Sequence, residues 1–374
     1  MNYTRFFGGI VTSLFMLFLV SACDDSSKKT GGAEEKYYLP DAGGNIGEML
    51  VLMDSAKWQG ALGKAVRETF AASVPGLPQD EAYYDLKYIS PRKFNSVLKF
   101  AKNVMIVMTL DSNSPDSREL RKDFTPQSLN RINSEPDLFM TTRTDEFARG
   151  QEILYLFSKD EASLISKIKE NKSRLVGHFN KIESDRIADK IFSKRELNIE
   201  KKLMEDQKFN FKIPFGYDLA KNQQNFTWVR FLDAEYEKNV FVYYEPYTSD
   251  ELFKTKDIAA FREKITGTLM RDIEKPEIYM TYQPELDFDV REINFKGKFA
   301  LETRGLWKLS DISGGGPFIS YTFVDQELNR LYYVEAYVFA PSMDKFPLMR
   351  EMNTILKTFQ TESELKAATT SPTP

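Results

Sequence analysis

Met49-Leu50-Val51-Leu52-Met53-Asp54-Ser55 decides the fold class of this chain. Five consecutive apolar residues are too few for an ordinary helix and read as a strand buried on both faces. Asp54-Ser55 supplies a helix N-cap, and Ala56 to Ala72 carries Leu62, Val66 and Phe70 at helical spacing. Outward from there the pattern recurs. Pro75-Gly76-Leu77-Pro78 stops the helix, Tyr83 to Ile89 reads as a second strand, and Ser90-Pro91 opens a second helix bearing Phe94, Val97, Leu98 and Ala101. Val104-Met105-Ile106-Val107-Met108 is another fully apolar strand, and it closes on Asp111-Ser112. Strands alternating with helices through short links predict a partly parallel sheet with right-handed crossovers. Asp137 to Arg143 and Ile153 to Phe157 add a further pair. A third helix from near Lys159 has Leu164, Ile165, Ile168, Leu175, Phe179 and Ile182 as its stripe.

The second half has a different character. Phe209 to Ile213, Phe226 to Leu232 and Val240 to Tyr244 are aromatic, alternating strands, followed by a helix from Asp257 to Arg271. The order then partly recurs in Ile293 to Gly297, Phe318 to Val324, Leu331 to Phe339 and the helix Lys345 to Phe359. Asn210-Phe211-Lys212 and Asn294-Phe295-Lys296 suggest an internal duplication. The expected fold is therefore mixed α/β and α+β: an N-terminal partly parallel sheet with helices, then an aromatic-rich antiparallel C-terminal sheet with helices. The expected domains are 45–182 and 209–360, joined by a charged helical linker over 183–208.

The amino terminus reads as an address. Residues 1–22 have the composition of a signal peptide: Arg5, an apolar run from Phe6 to Val20, then Ser21-Ala22 before Cys23. Val20-Ser21-Ala22-Cys23 resembles the bacterial lipobox, which implies acylation of Cys23 and anchoring in a membrane; two or more chains hold stably where one does not. Residues 23–44 follow as a polar tether, and 361–374, ending in Ala-Ala-Thr-Thr-Ser-Pro-Thr-Pro, read as a disordered tail. The chain has 374 residues and a net charge of −4, which lacks the basic excess that nucleic acid demands.

Gly47 to Asp54, Trp58 with Gly60, Leu77-Pro78-Gln79, Gly315-Gly316-Pro317-Phe318 and Ala340-Pro341 together resemble Bacteroidota-type lipoproteins built around a domain of unknown function. The resemblance covers most of residues 45–360. It implies an envelope location with a lipid anchor in the outer membrane, and brings no catalytic residue.

Chemistry-bearing motifs are scarce. One Cys and one His are present; with Cys23 acylated, no thiol remains for a nucleophile or zinc site. His178 flanks an apolar stripe and reads as half-buried packing. Gly60 to Ala65 has the wrong spacing for a phosphate loop, and Gly314-Gly315-Gly316-Pro317 precedes a strand, so it reads as a turn. Asp287 and Asp289 would share one face of an extended strand, which also describes a solvated strand face. No catalytic residue, metal ligand or cofactor is assigned. The candidate ligand site is Asp54, Ser55, Asp111 and Ser112, because each pair follows a buried strand, where open α/β sheets place their ligands; helix capping and an Asx-turn are the competing readings. The expectation is a non-enzymatic, membrane-anchored two-domain module that binds an envelope protein or glycan. The alternative is a carboxylate-dependent hydrolase of envelope polysaccharide. Membrane face and oligomeric state stay open.

Overall fold

Residues 39–272 and 274–370 are described by the computed structural model; the signal segment, Cys23 and the tether through residue 38 lie outside them. The apolar runs that open the chain become strands β1 (Glu48–Met53), with helices α1 (Ser55–Gln59) and α2 (Ala61–Phe70), then β2 (Asp85–Ile89) and β3 (Asn103–Thr109). Helices α3 (Pro115–Arg121) and α4 (Pro126–Ser134) follow, then β4 (Met140–Thr144), β5 (Glu152–Ser158), α5 (Glu161–Glu170) and α6 (Lys172–Ile191). The sheet order is β2-β1-β3-β5-β4. All neighbours are parallel except the β4 edge.

Alternation explains why β1, β3 and β5 are apolar throughout. Met49, Val51, Met53, Met105, Val107, Leu154 and Leu156 face α2, α5 and α6 through Leu62, Val66, Phe70, Leu164, Ile168 and Phe179. Leu50, Leu52, Val104, Ile106, Met108 and Ile153 face the other way, toward Leu120 of α3 and Ile132 of α4. Both faces are covered, as a parallel sheet requires.

The expected helices are cut shorter than their periodicity suggests. Gly60, in an extended conformation, separates α1 from α2, and Asn171 separates α5 from α6. Gly63 allows the close approach of the first two: a Cβ there would lie 2.0 Å from the Trp58 carbonyl oxygen. The helix expected after Ser90-Pro91 is instead two 3-10 turns, Pro91–Lys93 and Leu98–Phe100. Asn95 is the reason, since its side-chain oxygen accepts from the Val97 and Leu98 N–H groups that a helix would have used.

The tether is shorter than composition indicated. Ala42 N–H donates to Arg149 O, Gly43 N–H to Phe100 O, and Lys102 N–H to Gly43 O, so the chain is fixed before residue 44. The charged stretch 183–208 is the end of α6 and a second helix, α7 (Leu197–Gln207), with Glu183, Ile187, Glu200 and Leu203 buried. Its acids are buried because they are paired: Glu183 accepts from Asn103 and Arg186, and Glu200 from Arg195 and the Ile213 N–H.

Beyond α7 come β6 (Phe209–Asn210), β7 (Asp218–Gln223), β8 (Phe226–Leu232), β9 (Glu237–Pro246), α8 (Glu251–Thr255) and α9 (Ile258–Leu269). Then follow β10 (Met280–Tyr282), β11 (Asp289–Phe295), β12 (Lys298–Leu309), β13 (Gly315–Asp325), β14 (Arg330–Phe339), α10 (Phe346–Leu356), β15 (Gln360–Thr361) and α11 (Glu362–Thr370). An antiparallel eight-stranded sheet runs β10-β12-β13-β14-β9-β8-β7, with β11 also on β12; β6 and β15 pair separately. One face carries Phe323, Tyr332, Val334 and Val242 under α10. The other carries Phe241, Phe318, Tyr333 and Tyr337 under α9.

The meander β7-β8-β9 mirrors β14-β13-β12 across the central β9–β14 pair. The helices that follow nevertheless pack on opposite faces, and the two Asn-Phe-Lys stretches occupy different sheets. Of the tail expected to be disordered, residues 362–370 form α11, and residues 371–374 lie outside the described residues. Glu364 bonds the Thr361 N–H and pairs with Lys298, and Glu362 N–H donates to Lys208 O.

From Pro40 onward the chain is one compact unit. The loop after α2 joins its two sheets: Leu77 packs on the C-terminal core, and Glu81 accepts from the Lys345 and Phe346 N–H groups at the start of α10. Arg350 donates to Tyr83 O at 2.6 Å and stacks over Tyr84.

Candidate functional site

β1 and β3 are parallel neighbours. Their carboxyl ends therefore deliver Asp54, Ser55, Asp111 and Ser112 to one edge of the sheet, the position at which doubly wound sheets change winding direction. Asp54 is buried there and makes a dense set of bonds. Its Oδ1 caps α1 by accepting from Ala56 N–H at 2.9 Å and Lys57 N–H at 3.4 Å. Its Oδ2 accepts from Ser117 Oγ at 2.9 Å, from Ser112 Oγ at 3.3 Å and from Ser114 Oγ. Five donors converge on one carboxylate. Burial pushes its pKa up, and the serines and backbone N–H groups more than reverse this, so it stays below the ordinary aspartate range.

Asp111 sits beside this knot and is more open. It accepts from Thr109 Oγ1 at 2.6 Å and from Glu161 N–H at 3.0 Å at the start of α5, and pairs with Lys57 Nζ at 2.8 Å. Lys57 also reaches Glu161 at 3.1 Å. Burial raises the Asp111 carboxyl and Lys57 draws it down past its ordinary value; Lys57 in turn is raised, because its two carboxylates outweigh its burial. Ser55 itself is exposed, and its N–H donates to Asp116 Oδ2 at 3.2 Å. Buried Asp116 also takes Arg92 Nε at 2.8 Å and Ser90 Oγ, which outweigh its desolvation and hold its carboxyl low.

The arrangement ties β1, α1, β3, α3 and α5 together through paired charges and hydrogen bonds. Its chemistry is hydrogen bonding and charge recognition, with Asp111 and Glu161 as the accessible groups. Ser114, Ser117, Asp116, Lys57 and Glu161 were absent from the sequence-derived set. Ser114-Pro115 carried a readable signal, since Ser at N-cap with Pro next is a helix start. The partners of Lys57 lie 54 and 104 residues away and left none.

Elsewhere, His178 on α6 is half-buried, with Nε2 2.7 Å from Oε1 of buried Glu152, whose other oxygen takes Thr144 Oγ1. Asp289 opens β11 and pairs with Arg291, while Asp287 precedes the strand and is exposed, so the two acids do not share a strand face. Among the described residues no cluster of three or more metal-ligating side chains occurs, and no helix is long and apolar enough to cross a membrane.

Two of the clefts among the described residues exceed about 600 Å³, room enough for a small ligand or a peptide segment. One, of about 630 Å³, lies at the junction of the sheets between Glu81, Tyr83, Trp58, Arg67, Phe346 and Arg350. The other, of about 710 Å³, is lined by Tyr247, Asp250, Phe253, Phe299, Glu327 and Glu364. Phe299 there is 54 % exposed and meets Phe253 edge-on at 5.8 Å.

No curated protein matches the chain. Among solved structures, the Saccharomyces cerevisiae Ran-binding protein Mog1p aligns at 8% identity and a TM-score of 0.26, over 41% of this chain and 90% of that one. Human StAR-related lipid transfer protein 5 aligns at 10% identity and a TM-score of 0.22, over 51% and 99%. Likenesses this slight carry no argument about fold or function. Two family models match the chain, both described as domains of unknown function: DUF8532 over residues 42–192 and DUF4837 over residues 196–358, which meet at the turn between α6 and α7.

Proposed function

We propose that this is a lipid-anchored protein of the bacterial cell envelope that works as a binding or assembly module, not as an enzyme. The observation that carries the binding reading is the 710 Å³ cleft, where exposed Phe299 and half-buried Phe253 stand beside Tyr247 and an acidic rim. Aromatic faces with flanking carboxylates suit a sugar ring or a peptide. Val20-Ser21-Ala22-Cys23 supports the anchor. The Asp54–Asp111 edge supports recognition over catalysis, since its carboxylates and Lys57 are held away from the pKa range of a working acid or base.

The hydrolase alternative would draw on the carboxylates of the same cleft. Two of them are already engaged: Asp325 accepts from Leu328 N–H and Ser363, and Glu364 from Thr361 N–H and Lys298.

The anchor is tested by metabolic labelling with a fatty-acid analogue. The wild type should be marked and Cys23→Ala should not; equal labelling ends the reading. Binding is tested by crosslinking pull-down from intact cells, with Phe299→Ala expected to lose partners at unchanged thermal stability. Release of sugar fragments from envelope polysaccharide by the purified protein, abolished in Glu327→Gln, would replace the module with the hydrolase.

A further inference from the structure

The crossover from β2 to β3, Pro91 to Lys102, is unlike the rest of the surface. It carries four cations, Arg92, Lys93, Lys99 and Lys102, and no acid, in a chain whose net charge is −4. Phe94 and Leu98 turn inward onto the sheet. Val97 and Phe100 turn outward, 74 % and 39 % exposed. The second 3-10 turn carries both, Val97 at its N-cap and Phe100 as its last residue, with the Asn95 side chain fixing the backbone before it. Exposed apolar residues ringed by Lys and Arg are the composition of surfaces that sit at a lipid interface.

The site of attachment selects the occupant. Pro40 O accepts from Arg149 N–H and Ala42 N–H donates to Arg149 O; then Gly43 N–H bonds Phe100 O, Lys102 N–H bonds Gly43 O, and Lys102 Nζ bonds Gly44 O at 2.9 Å, so the first fixed residues of the body, Pro40 to Gly44, are shared between Arg149 and this crossover. Sixteen residues, Asp24 to Leu39, separate them from Cys23, a covalent reach of about 55 Å at most. The basic, apolar crossover therefore lies where the anchored end enters the body, beside Arg149.

We infer that the Pro91–Lys102 crossover is a membrane-docking patch for an anionic lipid surface, which lays the body against the leaflet holding its anchor. This rests on the lipid-anchor reading. Val97 and Phe100 enter the headgroup boundary while the lysines meet lipid phosphates.

The test uses the unacylated chain from Asp24 to Pro374, whose body is the self-contained unit beginning at Pro40, co-sedimented with vesicles. Vesicles containing phosphatidylglycerol should retain the protein in low salt, and pure phosphatidylcholine vesicles should not. Each lysine near a charged surface contributes on the order of 1 kcal/mol, or about fivefold, so Lys93→Gln/Lys99→Gln should cut partitioning about 25-fold. Val97→Asp should abolish it. Lys201→Gln/Lys202→Gln, the same charge change on α7, should have little effect, and circular dichroism should be unchanged throughout. Equal retention by both vesicle types, unaltered partitioning in the double or Val97 variants, or an equal loss in the α7 control would overturn the inference. Full displacement by millimolar inorganic phosphate would overturn it too, by reassigning the lysines to a free anion. Because no acyl chain is present, failure here leaves the Cys23 labelling result intact, and failure of labelling leaves this result intact.

Discussion

Arg262 on α9 and Glu335 on β14 are both fully buried, and separating them should destabilise the C-terminal sheet severely. The guanidinium meets the carboxylate in a fork, Nε to Oε2 at 2.8 Å and Nη2 to Oε1 at 2.7 Å, while Nη1 donates to Thr281 O at 3.2 Å. Tyr333 OH donates to Glu335 Oε2 at 2.7 Å, and the guanidinium lies 4.4 Å from the Phe318 ring centroid. Burial opposes the Arg262 charge and the Glu335 carboxylate overrides it, so the guanidinium is raised above its ordinary value. Glu335→Leu leaves a buried cation with one carbonyl, and Arg262→Met leaves a buried anion with one phenol; each should cost about 3–5 kcal/mol. Arg262→Met/Glu335→Leu removes both charges and strands only the Tyr333 hydroxyl and the Thr281 carbonyl, so it should cost about 1–3 kcal/mol. The coupling between the two sites is then about 3 kcal/mol or more. Urea unfolding followed by tryptophan fluorescence reads this, with Trp58→Phe leaving Trp228 and Trp307, both on the C-terminal sheet, as reporters. Single variants losing under about 1 kcal/mol, or a double variant as unstable as the singles combined, would refute the claim that this pair is shut off from water.

Asp54, Asp111 and Asp116 have carboxyls held below their ordinary values, so the stability they contribute is full above about pH 4 and is lost as pH falls through their folded values. Asp123, raised by burial, works the other way. Thermal melts should therefore be flat from about pH 5 to 8 and fall steeply below 4, less steeply in Asp54→Asn; an unchanged acid limb in that variant would remove Asp54 from the account. Asp54→Ala should cost about 0.5–2 kcal/mol for the cap alone and more for the three serines it strands, as measured by denaturant titration. Glu81→Ala removes the acceptor of two N–H groups on α10 and should cost about 1–2 kcal/mol while separating the melting of the two sheets; a single unshifted transition would show that the junction does not depend on it. His178→Gln should leave partner capture unchanged, since the imidazole serves Glu152; loss of capture in a stably folded variant would give it a functional role.

The strands that organise the N-terminal sheet were legible because burial on both faces leaves a continuous apolar run, as in Leu50 to Met53 and Val104 to Met108. The parallel sense of the sheet was legible in the strand–helix alternation, but adjacency of β1 and β3, and with it the meeting of Asp54 with Ser112, was not, because handedness leaves strand order open. Strand β12, the longest, was missed: Glu302, Arg304 and Lys308 interrupt its apolar residues, and Glu302 and Arg304 satisfy one another in the folded chain. The helix expected over 91–101 failed because its apolar spacing comes from residues that point at the sheet from two separate turns. Helix α11 was hidden behind a composition reading, since Glu362 and Glu364 act through Lys208 and Lys298, far off in sequence.

The same distinction governs the candidate site. Residue pairs that cap a helix or end a strand are local, and Asp54-Ser55 and Asp111-Ser112 announced themselves through the apolar runs before them. What those residues do is set by groups that local pattern does not connect. Lys57 turns Asp111 into one member of a Lys57–Glu161 triad, and three serines occupy the Asp54 oxygen that a ligand would have needed. Asp54 is thereby committed to holding the sheet edge together, and the carboxylates that a ligand at this edge would meet are Asp111 and Glu161, whose side chains remain 35% and 31% exposed. A loss of partner capture in Asp111→Asn that is reproduced by Glu161→Gln but not by Ser112→Ala would follow from that division. Capture lost only with Ser112→Ala would place the recognition surface on the serine side instead.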